Sequence, residues 1–305
     1  MKKRVYCSDV DGTLARQGYY LTEDTLALVH EMVDADINFT IVTGRFLSRS
    51  LPVMQQLKLK IPAFCLSGAL AYDCANERIL KVWPIKAEIA KTVAERLQTL
   101  KHNVLAAVYH PNENRCKLCF NWVKNPQPFP MDNVNELGYL HDEIVTAENI
   151  IPLMEEGQCI FLDMAGDEGT MKTAYGLVRD IEGIKVFLHE SPHNKGLWVL
   201  DIVAENSGKG NAIQWMKEYM GAEESVGFGD HYNDLPMLLA ADIGVTMAEA
   251  PEDMKRAVDL VLPATPNCVP DYIMAEEGLR YQKKNPRSEE RGFYYVLIGL
   301  RRVSE

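Results

Sequence analysis

Short apolar runs and amphipathic stretches alternate along most of this chain, at spacings that predict strands and helices in turn. Residues 5–7 read as the first strand. Thr22 then caps a helix with Leu26, Val29, Met32 and Val33 on one face, and a buried strand follows at 39–42. A second helix over 47–57 leads to a strand at 63–66. Such βαβ alternation predicts an α/β fold with a Rossmann-like parallel-sheet core, its active loops at the carboxyl edge of the sheet. Residues 72–82, turning at Asn76 and Glu77, read as a hairpin leading out of that core.

From about Trp83 the pattern changes. A helix bearing Ile89, Val93, Leu97 and Leu100 precedes strands at 105–109 and 117–122, joined as a hairpin across Pro111 to Asn114. A strand at 160–162, a helix over 170–181 and a strand at 186–188 follow. The core resumes near Trp198, with strands at 198–203 and 225–228. The expected organisation is a discontinuous core of residues 1–82 and 196–305, interrupted by an inserted α+β cap domain at 83–195 that can close over the sheet edge.

The chemistry sits where strands are expected to end. Asp9-Val10-Asp11-Gly12-Thr13-Leu14 follows the first apolar run and sets two carboxylates two positions apart. They can share a divalent cation, the first can attack phosphorus, and the second can pass a proton to and from the leaving oxygen. Gly12 lets the chain turn so that backbone N–H groups meet an anion, and Thr13 adds a hydroxyl. Thr43-Gly44-Arg45, behind the strand at 39–42, offers a hydroxyl and a backbone N–H for a phosphoryl oxygen. Lys209-Gly210 places a cation at a helix head, where the dipole also favours anions. Gly229-Asp230-His231-Tyr232-Asn233-Asp234, behind the strand at 225–228, adds polar groups on the metal side.

With these motifs in this order the chain resembles the haloacid dehalogenase superfamily, and within it the Cof-type phosphatases of subclass IIB, which carry a large inserted α/β cap. The resemblance runs over nearly the whole chain and continues into Met237-Leu238 and Gly244-Val245. It implies Asp9 as the nucleophile that becomes an aspartyl phosphate and Asp11 as the acid/base. Gly12, Thr43, Gly44 and Lys209 are then expected to bind phosphate, Arg45 and Asn233 to meet substrate, and Asp9, Asp11, Asp230 and Asp234 to hold Mg2+. It also implies a small phosphorylated metabolite as substrate, with sugar phosphates the leading class. A phosphomutase using the same aspartyl phosphate is the alternative, and a noncatalytic sensor of phosphorylated metabolites fits less well because both Asp9 and Asp11 are present. Three positions depart from the family pattern: Ser67-Gly68-Ala69 where Asn-Gly-Ala is usual, Met247-Ala248-Glu249-Ala250 where Met-x-Asn-Ala is usual, and Asn267-Cys268-Val269 where Asp-Gly-Val is usual.

Composition narrows the partners. At 305 residues the chain has room for two domains, and 47% apolar with 25% charged residues is ordinary globular usage. With 32 basic against 43 acidic residues the net charge is −11, which disfavours nucleic acid and anionic membranes. No run of roughly 18 apolar residues occurs, and the basic start Met1-Lys2-Lys3-Arg4 reaches Asp9 too soon for a secretory core. Seven scattered cysteines suit a reducing cytoplasm, with Cys116 and Cys119 lacking the second pair of a structural zinc site. Asn38-Phe39-Thr40 matches a glycosylation acceptor but falls on a core strand. His189, His193, Asn194, Lys195 and Trp198 are candidates for facing a substrate from the return to the core. Residues 125–130 read as a rigid Pro-rich loop, and the apolar stretch 293–298 either packs on its own core or mediates a homodimer.

Overall fold

The first apolar run folds as the strand Arg4–Ser8, which lies between Phe39–Ile41 and Glu224–Phe228, parallel to both. Ile243–Met247 and Leu260–Leu262 extend the sheet on the far side of Glu224–Phe228, again in parallel. The inner strands are largely buried and carry the apolar runs that a covered parallel sheet requires, while the edge strand Leu260–Leu262 leaves Val261 exposed. The computed structural model describes residues 2–16, 21–121, 143–191 and 194–279. The described residues within 1–41 and 213–279 fold as one compact unit, and those within 42–212 as another.

In the first unit the helix Glu23–Asp34 starts where the sequence placed it, because the Thr22 hydroxyl accepts from the Thr25 N–H at 3.1 Å. Its buried face is Leu28, Val29, Met32 and Val33, with Leu26 only half-buried. Helices Leu235–Ala240, Glu252–Ala257 and Cys268–Glu276 complete this unit with the bulk of Lys209–Met220.

The second unit contains the helix Leu47–Leu57 and two antiparallel sheets. Ala63–Cys65, Leu70–Asp73 and Arg78–Val82 form a three-stranded meander, its second hairpin turning through Glu77 at φ 51°. Val42 makes an isolated parallel bridge to Phe64. The larger sheet has six strands in the order Ile184–Glu190, Trp198–Ala204, Gln158–Gly166, Leu105–His110, Arg115–Asn121 and Glu143–Ala147. One face of it packs on the helices Ala87–Gln98, Ile151–Glu155 and Glu168–Val178 through Val93, Leu97, Met171, Ala174, Leu200 and Ile202. The stretches 125–130 and 293–298, Trp122 and His193 lie outside the described residues.

One strand changes partners relative to the sequence reading. Residues 198–203 look like another buried parallel strand, yet Trp198–Ala204 pairs antiparallel with both Gln158–Gly166 and Ile184–Glu190 in the six-stranded sheet. An apolar run signals burial, and its direction is set by the partners it meets. The sign in the sequence was Asp201: Leu200 and Ile202 face the helices, so period two turns Asp201 to the opposite face.

Candidate active site

Backbone geometry at the end of the first strand brings carboxylates together. Asp9 N donates to Phe228 O at 2.8 Å, which holds the strand end against its neighbour. The chain then turns through Gly12 at φ 82° and returns to a bridge between Asp11 and Ala15. A Cβ on Gly12 would lie 2.3 Å from Asp230 Oδ2, so glycine is required here for the turn and for the close approach of that carboxylate. The Thr13 hydroxyl, read from the sequence as a donor to an anion, donates to Asp230 Oδ1 at 2.6 Å.

The loop 229–234 is braced by its own last residue. Asp234 is fully buried, and its Oδ2 accepts from the Asp230 and His231 N–H groups, each at 3.1 Å. Thr246 Oγ1 donates to Gly229 O at 2.8 Å from the neighbouring strand. The result is a group of three carboxylates, Asp9, Asp230 and Asp234, offering one oxygen each within 4.8 Å of one another. Hard oxygen donors at that spacing fit a Mg2+-sized ion. Asp11, also expected from the sequence as a ligand, is not one of the three. Asn233 lies beside them in the chain, and its Oδ1 is buried without a hydrogen-bond partner among the described residues.

Gly12→Ala is therefore expected to do two things at once. The left-handed turn would be strained by about 1–3 kcal/mol, and Asp230 would have to leave Thr13 to clear the new methyl group. Thermal unfolding should show the first, and a higher Mg2+ concentration for half-maximal activity the second.

Two of the departures from the family pattern meet on one side chain. Arg16 donates to Glu249 Oε1 at 2.6 Å, approaches Cys268 Sγ at 3.9 Å and reaches Gly12 O at 3.4 Å. Burial is the largest influence and works against the guanidinium charge, but the Glu249 hydrogen bond and the charges of Cys268, Glu249 and Asp230 together outweigh it, so the Arg16 pKa is raised. A carboxylate at 249 in place of a neutral amide thus matches an arginine that follows the turn through Gly12.

The 42–212 unit holds Thr43, Gly44 and Lys209 of the phosphate-binding candidates, and Gly12 belongs to the other unit. Thr43 N donates to Phe64 O at 3.0 Å, and Arg45 N donates to Thr43 Oγ1 at 3.2 Å, which leaves the hydroxyl proton of Thr43 to be given elsewhere. Leu66 N donates to Arg45 O and Ser67 N to Thr43 O, both at 3.0 Å, so the segment 43–45 is zipped to the turn Leu66–Gly68. Gly68 in turn lies against the backbone of Gly208 and Lys209: a Cβ there would be 2.6 Å from Gly208 C and O. Lys209, at the head of the helix Lys209–Met220, is only 2% exposed.

A second acidic group lies on the face of the six-stranded sheet away from the helices, where Asp163 and Asp201 are directly paired. Ser67 Oγ donates to Asp201 Oδ2 at 2.7 Å, and His189 Nε2 approaches the same oxygen at 3.9 Å. Burial is the largest influence and pushes the His189 imidazole down, but Asp201 and the Glu190 backbone together leave it raised. Burial first, and the charge of Asp201 second, raise the Asp163 carboxyl well above the ordinary range. Folding therefore tightens proton binding at Asp163, and stability contributed there falls as pH rises from about 3.9 through the folded value. Asp163→Asn should raise the unfolding temperature at pH 7 by roughly 2 °C or more, with the gain vanishing near pH 4. A constant difference across that range would show that the shift is not the cause.

The sequence reading missed Asp201 and Arg16 as parts of these constellations, and Ser207, whose Oγ donates to Gly68 O at 3.1 Å. Only Asp201 carried a signal, as a lone carboxylate inside an apolar run.

Residues 6–268 match the model of the haloacid dehalogenase-like hydrolase family. The chain belongs to this family. As a Cof-type phosphatase of the haloacid dehalogenase group it is 25% identical over 268 residues to a putative phosphatase of Haemophilus influenzae, covering 86% of this chain and 92% of that one. It is 25% identical over 280 residues to a pyridoxal phosphate phosphatase of Escherichia coli, covering 86% and 94%, and 24% identical over 255 residues to an HMP-PP phosphatase of Serratia proteamaculans, covering 83% and 86%. Among solved structures, a haloacid dehalogenase-like hydrolase from Bacteroides thetaiotaomicron superposes with a TM-score of 0.69 at 18% identity, over 90% of this chain and 100% of the other. A subclass IIB sugar phosphatase gives 0.67 at 20%, over 91% and 100%. These two likenesses establish the shared fold. Among the described residues of this phosphatase, no helix is long and apolar enough to cross a membrane.

Proposed function

We propose that this chain is a Mg2+-dependent phosphatase that hydrolyses small phosphorylated metabolites, sugar phosphates first among them, through an aspartyl phosphate on Asp9. The observation that carries it is the convergence of Asp9, Asp230 and Asp234 immediately behind an Asp-x-Asp-Gly-Thr turn. Asp9 Oδ attacks phosphorus as the ester P–O bond breaks, and Asp11 gives its proton to the departing alkoxide. Asp11 then takes a proton from water, whose oxygen attacks the aspartyl phosphate, releasing inorganic phosphate and restoring Asp9. Thr43, Gly44, Gly12 and Lys209 bind phosphoryl oxygens, with Arg45 and Asn233 toward the substrate. Asp9, Asp230 and Asp234 would hold Mg2+, which when bound neutralises charge that otherwise sets carboxylates against phosphate.

Residues 1–82 with 196–305 are proposed as the catalytic core and 83–195 as the cap that selects the leaving group. A cytoplasmic setting is supported by seven free cysteines, six of them buried. The chain acts as a monomer or homodimer in this reading.

A phosphate-release screen over sugar phosphates, nucleotides, pyridoxal phosphate and pyrimidine phosphates, with Mg2+ and with chelator, tests this. Release from a sugar phosphate at least tenfold more efficient than from the rest supports it. Preference for a nitrogen heterocycle, as the E. coli relative's name indicates for that protein, would move the substrate class. Transfer of phosphate to a second hydroxyl with little release would make the enzyme a phosphomutase.

A further inference from the structure

We infer that Asp201 is a positioning residue for the phosphate-binding groups: it fastens the turn Leu66–Gly68, through which Thr43 and Lys209 are placed with respect to each other. The inference rests on the phosphatase reading only for the role of Thr43 and Lys209; the geometry stands by itself.

Leu66, Ser67 and Gly68 have φ of 52°, 53° and 95°, three left-handed residues in succession, two of them with side chains. Such a run is strained and persists only where its surroundings over-determine it. All three residues are buried. Their backbone is tied to the segment 43–45 on one side by the Leu66 and Ser67 N–H groups, and on the other Ser207 Oγ donates to Gly68 O at 3.1 Å. These bonds make the turn a joint. One edge carries Thr43 and the other abuts the backbone of Lys209.

The tie from the middle of the joint is the Ser67–Asp201 hydrogen bond, at 2.7 Å between two buried groups. It is charge-assisted, hence short and strong for its class. Asp201 is fixed in turn, since its strand is laddered on both sides, with Phe187 and Asp163 as its register partners. A sheet interior is a rigid mount for a side chain that must hold a strained turn. The departure at Ser67 acquires a reason here. The hydroxyl that stands where the family has an amide is committed to Asp201.

The expected result is that Asp201→Ala weakens competitive inhibition by inorganic phosphate, and raises KM, by about tenfold. The ranking of metabolites should stay unchanged, because the leaving group is not involved. Asp201→Asn, whose amide oxygen still accepts from Ser67 in a weaker neutral bond, should fall between Asp201→Ala and wild type. Ser67→Gly accepts the left-handed backbone and so keeps the fold, yet should weaken phosphate inhibition as Asp201→Ala does. Combined with Asp201→Ala it should add little, since both remove one bond. Thermal unfolding confirms that each variant is folded, and Ser67→Gly carries the test if Asp201→Ala is not. Phosphate inhibition within about twofold of wild type in a folded Ser67→Gly or Asp201→Ala overturns the inference. So does a changed metabolite ranking at constant phosphate inhibition. Failure of the phosphatase reading shows elsewhere, as no phosphate release by the wild type.

Discussion

Asp9→Asn should reduce turnover by about 10^3-fold or more while the protein stays folded. The amide is nearly isosteric with the carboxylate, and Asp9 is tied into the sheet by its backbone N–H to Phe228, a bond the substitution leaves alone. What disappears is the nucleophile of the proposed mechanism. Asp9 is 6% exposed and shares its surroundings with Asp230 and Asp234, so the change also removes one negative charge from a crowded group. The unfolding temperature is accordingly expected to hold or rise while kcat collapses. Steady-state phosphate release together with a thermal melt checks both, and a variant that kept wild-type kcat would leave direct attack by water as the mechanism.

Asp230→Ala should lower the rate by about 10^2-fold or more at millimolar Mg2+ and raise the Mg2+ needed for half-maximal rate. Asp230 is the carboxylate that Thr13 orients at 2.6 Å and that only a glycine at 12 allows to approach. Its backbone N–H keeps Asp234 Oδ2 in place whatever the side chain, so the loop 229–234 should survive the truncation. A titration of rate against Mg2+, with metal content verified, separates a weakened site from a collapsed loop. Recovery at high Mg2+ indicates the first. Chelator should silence the wild type; full activity with no metal present would remove the ion from the mechanism.

Much of the first unit could be read from residues alone. Thr22 marks its helix because a hydroxyl before an acidic first turn meets orphan N–H groups. The helix Leu47–Leu57 and the hairpins across 76–77 and 111–114 were equally visible, since their signals are local in the chain. Glu143–Ala147, Ile243–Met247 and Leu260–Leu262 went without notice as strands. They are three to five residues long, and Glu143–Ala147 has no fully buried position to betray it.

By itself the sequence determined most of the elements and their order, the Asp-x-Asp-Gly-Thr turn and which side chains were candidates to attack, protonate and bind phosphate. Those follow from spacing within a few residues, where covalent geometry does the placing. The partners of Trp198–Ala204, the meeting of Asp9 with Asp230 and Asp234, and the ties from Thr13 to Asp230, from Arg16 to Glu249 and from Ser67 to Asp201 were decided only by the tertiary structure. Each joins residues more than a hundred positions apart, apart from neighbouring Asp230 and Asp234 and the strand's shorter links to its partners. Over such separations no periodicity carries the information, and burial of complementary groups against one another selects the pairing.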